Sequence, residues 1–298
     1  MTLIMDGTSM QNESDRAVKR PWEITLWVVV GLVALLMRIA QLDAAPLTAN
    51  EAAGATAAWR AATGKGLPLT DYNPFLLAGN SLLFALFGAS DTVARLWPTL
   101  SGALLVLTPM LWRRSLGRVG ALVAGAYLAL SPTTLVASRH VGGTMIAALG
   151  AMVFIGGVIR FLESDRSGWL TPAALGLALG VSSGVSAYGL LLPLGLAVAV
   201  VAKAWPEDLA LRSHDDLSRL RPHAASFLLV FGVAVLVLST GLGWNLPGVG
   251  SVGGLFGAWL GRFRSGLRPS ASPLTLLAVY ELSATVFGIG GLVVGVLR

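Results

Sequence analysis

The chain has 298 residues, is 55% hydrophobic and only 12% charged, and has a mean hydropathy of +0.74. This composition excludes an ordinary soluble domain and marks a membrane protein, and the lack of cysteine excludes disulfides and thiolate metal sites. A net charge of +6 fits loop arginines facing anionic lipid headgroups; no aromatic-basic array accompanies them, so nucleic acid is not an expected partner.

Residues 1–22 are polar and mixed in charge and read as a disordered tail. No small-residue cleavage site follows the first apolar stretch, so that stretch is expected to stay as an anchor. From residue 23 to 298 the chain reads as one transmembrane domain. Hydrophobic stretches fall at about 24–41, 74–89, 93–112, 119–137, 142–161, 171–187, 188–203, 224–241 and 274–297. Roughly 20 apolar residues cross a bilayer as a helix, and the stretches lack the alternation of barrel strands. The predicted fold is therefore all-α: a polytopic membrane helical bundle of eight or nine segments, with some neighbouring pairs joined as one bent helix. The small-residue runs Gly142-Gly143, Gly156-Gly157 and 180–184 suit close helix packing.

Loop arginines orient the bundle. Arg113, Arg114 and Arg118 form one basic loop, Arg160 and Arg166 a second, and Lys203, Arg212, Arg219 and Arg221 a third. Placing all three in the cytoplasm puts Ser138-Arg139-His140 and the loops 42–73 and 242–272 on the outer face of the cell membrane. In that scheme 74–89 cannot cross fully and is expected to be re-entrant or interfacial. Segments 51–62 and 254–263 read as helices lying in the interface, the second with Phe256, Trp259 and Phe263 as anchors.

The stretch 42–73 is too polar to cross a membrane, yet it holds Asp43, Glu51, Asp71, Arg60 and Lys65 amid an apolar chain. A chain that keeps acids and bases in one long loop beside its first span is expected to have a site there. Taken from the residues alone, each candidate has a plain role too. Glu51 suits the first turn of a helix at 51–62. Asn50 suits its N-cap. Asp43 and Asp71 suit ordinary loop polarity. Arg95 and Arg38 beside spans suit snorkelling, and Arg139, His140, Arg262, Arg264 and Arg268 suit headgroup contact. Glu51 and Asp71 offer oxygen ligands to a divalent cation, but nothing in the spacing asks for one, and no metal or other cofactor is predicted. The glycine-rich stretch 247–257 lacks the lysine and the preceding strand of a phosphate loop.

The order of these pieces resembles a family. Asn50-Glu51, Trp59-Arg60 with Gly64 and Gly66, Asp71-x-x-Pro74, LFALFGASDTVARLWPTLSGALLVL (83–107), Arg113-Arg114, LALSPTTLVASRH (128–140) and GLFGAWLGRFRSGLRPSASP (254–273) before Tyr280-Glu281 are similar to the N-terminal part of the GT-C membrane glycosyltransferases. Those enzymes depend on polyprenyl-phosphate sugars and include the protein mannosyltransferases. The late loop resembles the subgroup described as flippase-activity-associated. The resemblance implies transfer of a sugar from a polyprenyl-phosphate donor at the outer face. Glu51, with Asp43 and Asp71, then supplies the acid chemistry, and Glu51→Gln should abolish transfer while leaving the fold intact. Asn50, Arg139, His140, Arg262 and Arg268 bind donor and phosphate, and anionic lipids are further partners. Departures accompany the matches: Asn50 stands where the pattern has Asp, Thr144 stands where it has another Asp, and Phe75-Leu76-Leu77 replaces a His or Lys. These departures suit a catalytically degenerate relative serving as an accessory subunit with other membrane proteins. A lipid flippase is the third reading, although no span shows the broken-helix ionisable pair of a coupled transporter.

Overall fold

The computed structural model describes residues 21–65, 73–164, 166–190, 221–243 and 246–264, and every element assigned among them is helical. Helix α1 (Pro21–Ile39) starts on a proline, whose missing N–H would be unpaired at that position anyway. The helix therefore takes in Pro21 and Trp22, which the sequence assigns to the tail. A turn follows, with Gln41 in the left-handed region (φ 52°). Then come α2 (Ala49–Ala62), α3 (Pro74–Phe87), the single turn α4 (Asp91–Ala94) and α5 (Leu96–Leu105), which a 3-10 turn at Thr108–Trp112 extends. Helices α6 (Arg113–Leu130), α7 (Pro132–Ser138), α8 (Thr144–Ser164), α9 (Leu170–Ser182), α10 (Ala224–Thr240) and α11 (Gly248–Arg264) complete the described chain. The expected stretch 274–297 and the greater part of 188–203 lie outside the described residues, as do the arginines at 212 and 219.

Among the described residues, three helices are long and apolar enough to cross a membrane: Trp22–Ile39, Thr144–Ser164 and Arg221–Thr240, with mean hydropathies of 1.9, 2.1 and 2.1. The bent pair Leu116–Leu130 and Pro132–Ser138, joined at 57°, makes a fourth if it acts as one span. Much of α1 and α10 faces away from the protein. Ile24, Val28, Leu32 and Leu36, spaced by four, are 52–66% exposed, and Leu228 and Leu229 of α10 are more than 60% exposed. An apolar stripe of this length is stable where lipid, not water, covers it.

The bend between α6 and α7 has a chemical cause. Pro132 has no N–H, so the last carbonyls of α6 lose their helical partners. Arg38 supplies replacements. Its side chain is fully buried. It donates to Leu128 O (3.1 Å), Ala129 O (3.4 Å), Thr134 Oγ1 (3.2 Å) and Ala34 O of its own helix (3.1 Å). Snorkelling, the expected role, does not occur, because the free carbonyls lie inward.

Helices α8 and α9 pack through small residues. A Cβ on Gly150 would stand 2.6 Å from Gly176 O and Gly180 N, and one on Gly157 would stand 2.9 Å from Trp169 O. Gly156 closes on Leu111 and Gly143 on Ser183 O in the same way, whereas Gly142 faces open space. Close backbone approach of this kind is how helices associate where burial of apolar surface gives no advantage.

Two of the three basic loops meet at one end of the described bundle; Lys203, Arg212 and Arg219 of the third lie outside the described residues. Arg113 pairs with Glu23 at 2.7 Å, and Arg114 and Arg160 each stand 3.8 Å from Glu163. The His223 ring packs edge-on against Phe161. The opposite end collects the turn after α1, α2, residues 139–141 and the end of α10, where Gly241 meets Ala78. Helix α3 is tied to elements of that end. Asn73, its N-cap, bonds Ser183 O, Ser81 Oγ donates to Ala58 O (3.1 Å), and Asn80 Nδ2 donates to Ala94 O (3.2 Å).

Candidate functional site

At this second end one carboxylate ties four parts of the chain together. The sequence Thr48-Ala49-Asn50-Glu51 forms a capping box. Thr48 Oγ1 accepts from Glu51 N (3.4 Å), and Glu51 Oε2 accepts from Thr48 N (2.9 Å) and from the Thr48 hydroxyl (2.9 Å). Thr48, not the expected Asn50, is therefore the N-cap. The reason is spacing: only a hydroxyl three residues before Glu51 allows the reciprocal pair. Asn50 is exposed on the first turn.

The other carboxylate oxygen crosses to the turn after α7. Val141 N donates to Glu51 Oε1 at 2.7 Å, and His140 Nδ1 lies 3.2 Å from the same atom. Arg95 Nη2 stands 3.7 Å from Oε2. A carboxylate has about four lone-pair sites, and here they are filled. Glu51 is 5% exposed. Burial alone would push its pKa up. The backbone N–H groups of Thr48 and Val141, the Thr48 hydroxyl and the charge of His140 outweigh burial and bring it down to about 2. Glu51 is thus ionised throughout the physiological range and a weak proton acceptor.

Arg95 is 4% exposed and does not snorkel. Its Nη1 donates to Leu42 O (2.6 Å) and Ala45 O (2.8 Å), and its Nη2 to Pro46 O (3.3 Å). Arg139 holds the start of the same turn: its Nη2 donates to Ala40 O (2.8 Å) and Gln41 O (2.6 Å). Two guanidinium groups therefore fix five carbonyls between Ala40 and Pro46, including that of Gln41 in its left-handed conformation. Asp43 sits exposed on this pinned turn.

His140 is the outward member of the group. Its side chain is 55% exposed, against 5% for Glu51. Because an ionised carboxylate only accepts, the pairing selects the tautomer with hydrogen on Nδ1. Nε2 then carries the free lone pair.

Glu51, Asn50, Asp43, Arg139 and His140 thus share one end of the molecule. Arg95, expected only to snorkel, joins them through contacts 44 to 53 residues away in sequence. Asp71, Arg268 and the Tyr280-Glu281 pair lie outside the described residues, as do the side chains of Arg262 and Arg264, which belong to α11. The two aromatic anchors of α11 that are described, Phe256 and Trp259, pack on Tyr188 with ring centroids 5.7 and 6.4 Å from it. The Tyr188 hydroxyl donates to Val252 O at 3.3 Å.

No family model matches the chain, and no curated protein or solved structure is detectably similar to it.

Proposed function

We propose that the protein is a GT-C-like multi-pass membrane glycosyltransferase that takes a sugar from a polyprenyl-phosphate donor. The end carrying Glu51 would lie at the outer membrane face. The observation behind this reading is the Glu51–His140 pair: a buried, ionised carboxylate holds an imidazole at 3.2 Å, and the imidazole is half exposed at the polar end of an otherwise apolar bundle. A carboxylate that orients an imidazole for proton abstraction is a recurrent catalytic arrangement. The base assigned by resemblance to Glu51 therefore passes to His140, with Glu51 as its positioning residue. Asn50 cannot take a proton, and Glu51 has no lone pair left for one.

In this mechanism His140 Nε2 removes the proton from an acceptor hydroxyl. The acceptor oxygen bonds to C1 of the donor sugar. The bond from C1 to the phosphate oxygen breaks, and its electron pair leaves with the polyprenyl phosphate. That phosphate gathers negative charge, and the guanidinium edge of Arg139 not used on Ala40 and Gln41 would stabilise it. A lipid-borne donor also accounts for a reactive group at the boundary of a bundle with apolar outer faces.

A second reading has its own observation. The terminal nitrogens of Arg95 and Arg38 are spent on internal acceptors, and the Glu51 oxygens are taken by donors of the chain, so these charged groups hold the structure together. That is the expected state of a catalytically degenerate relative acting as an accessory subunit.

Native mass spectrometry of protein released from mild detergent separates the two. The transferase reading expects a retained polyprenyl-phosphate sugar that is lost in Arg139→Ala. It also expects sugar transfer by the wild type to fall at least a hundredfold in His140→Gln with little change in melting temperature. Only bulk phospholipid, or a tightly held membrane protein in its place, would move the assignment to the accessory subunit.

A further inference from the structure

We propose that the cavity between α2 and α4 is a saccharide subsite, in which Trp59 supports the apolar face of a pyranose ring and the Asp91 carboxylate accepts from its hydroxyls. The inference rests on the transferase reading and names where a sugar would sit. The cavity has a volume of about 360 Å³ and is lined by Leu47, Thr56, Trp59, Phe84, Ser90 and Asp91, with two alanines. It is within the size range of small-molecule sites. It adjoins the Glu51 cluster through both of its walls. Ala55, one of the two alanines, is one helical turn beyond Glu51 on α2, and Trp59 is one turn further. Asp91 precedes Arg95 by four residues across the single turn of α4.

Its chemistry is mixed in the way a sugar requires. One wall carries an indole 38% exposed. Aromatic faces bear partial negative charge and attract the positive C–H edges that one side of a pyranose presents. Lys65 Nζ stands 4.5 Å from the Trp59 ring centre and is not among the residues that line the cavity. The facing wall carries Asp91, which is half-buried and makes no hydrogen bond or ion pair with any described residue. Nearby, Ser90 Oγ accepts from Val93 N at 3.2 Å and keeps its own hydrogen to donate. A lipid acyl chain would suit the apolar floor of Leu47 and Phe84 but would strand the Asp91 carboxylate without a partner. A pyranose satisfies both walls.

Saturation-transfer NMR on the full chain in lipid nanodiscs tests the subsite, with the methyl pyranosides of glucose, galactose and mannose as probes. At least one probe should show saturated ring protons. The signal should fall at least fivefold in Trp59→Ala, and Asp91→Asn should weaken binding about tenfold. Asp91→Asn preserves shape, so it carries the test if Trp59→Ala does not fold. No transfer to any of the three probes, or transfer undiminished in both variants, would overturn the subsite. Retention of the polyprenyl-phosphate donor alongside absent sugar transfer signals would overturn the subsite alone. Sugar binding lost in Asp91→Asn, in a protein that holds no polyprenyl phosphate, would uphold the subsite while overturning the transferase reading.

Discussion

Glu23 and Glu51 invite comparison. Each lies in the first turn of a helix, each is buried to about 95%, and they sit at opposite ends of the bundle. Their surroundings differ in kind. Glu23 Oε2 meets Arg113 at 2.7 Å and Arg118 at 4.0 Å, arginines that are 37% and 53% exposed, and its Oε1 has no partner. Glu51 meets two backbone N–H groups, a hydroxyl and an imidazole, with a buried guanidinium close by. One is an ion pair between a buried carboxylate and two partly exposed arginines. The other is a carboxylate fixed by donors that cannot move without the backbone. Burial alone therefore says little about a carboxylate; the rigidity and number of its donors decide whether it organises a site.

The largest expected effect that sharpens this contrast is Glu51→Ala. It would leave Val141 N without its acceptor, remove the negative charge 3.7 Å from the buried Arg95 guanidinium and undo the capping box. We expect a loss of about 3–5 kcal/mol in stability, seen as a lower melting temperature in detergent. A loss below about 1 kcal/mol would mean that the four contacts are incidental. It follows that Glu51→Gln is not the silent structural probe that the sequence suggests. A neutral amide would turn donor against donor at Val141 or His140, so its effect on transfer must be read against its effect on folding.

Acid titration gives the next effect. The folded pKa of Glu51 lies near 2, against 4.5 for a free side chain. A group depressed in this way stabilises the fold fully above its unfolded pKa, and that contribution disappears as pH falls through the folded one. The difference amounts to roughly 3 kcal/mol. Wild-type protein should therefore lose melting temperature steeply between about pH 5 and pH 2, and Glu51→Gln should show a flatter profile over that window. Parallel profiles would contradict the strongly held ion.

The smallest effect belongs to the other end. Glu23→Gln should cost less than about 1 kcal/mol, because its partners are 37% and 53% exposed and one of its oxygens already has no partner. A cost matching that of Glu51→Ala would erase the distinction between the two ends.

Part of this was legible in the sequence. The apolar stretches gave the helices, and loop arginines gave one charged end. The stretch 74–89, which the orientation scheme bars from a full crossing, became the helix Pro74–Phe87. The polar loop after the first helix drew attention to Glu51. The capping box was also there to be read in Thr48-x-x-Glu51, although Asn50 looked the better cap because it adjoins the helix start. Other features left no local signature. Arg38 and Arg95 bond carbonyls that are free only because the chain breaks at Pro132 and turns at 42–46, on other elements. His140 reaches Glu51 across 89 residues, and no periodicity or spacing reports such a pairing. Sequence patterns reveal which residues share a face of one helix; they do not reveal which distant backbone group lacks a partner.

An ionised Glu51 orients His140 with Nε2 free. The chain has three histidines, so ¹⁵N-histidine NMR, with His140→Gln to assign the signal, reads this tautomer directly. At a pH where the ring is neutral, His140 should carry its hydrogen on Nδ1, and Glu51→Gln should abolish this preference. A His140 ring protonated on Nε2, or one unchanged in Glu51→Gln, would contradict it.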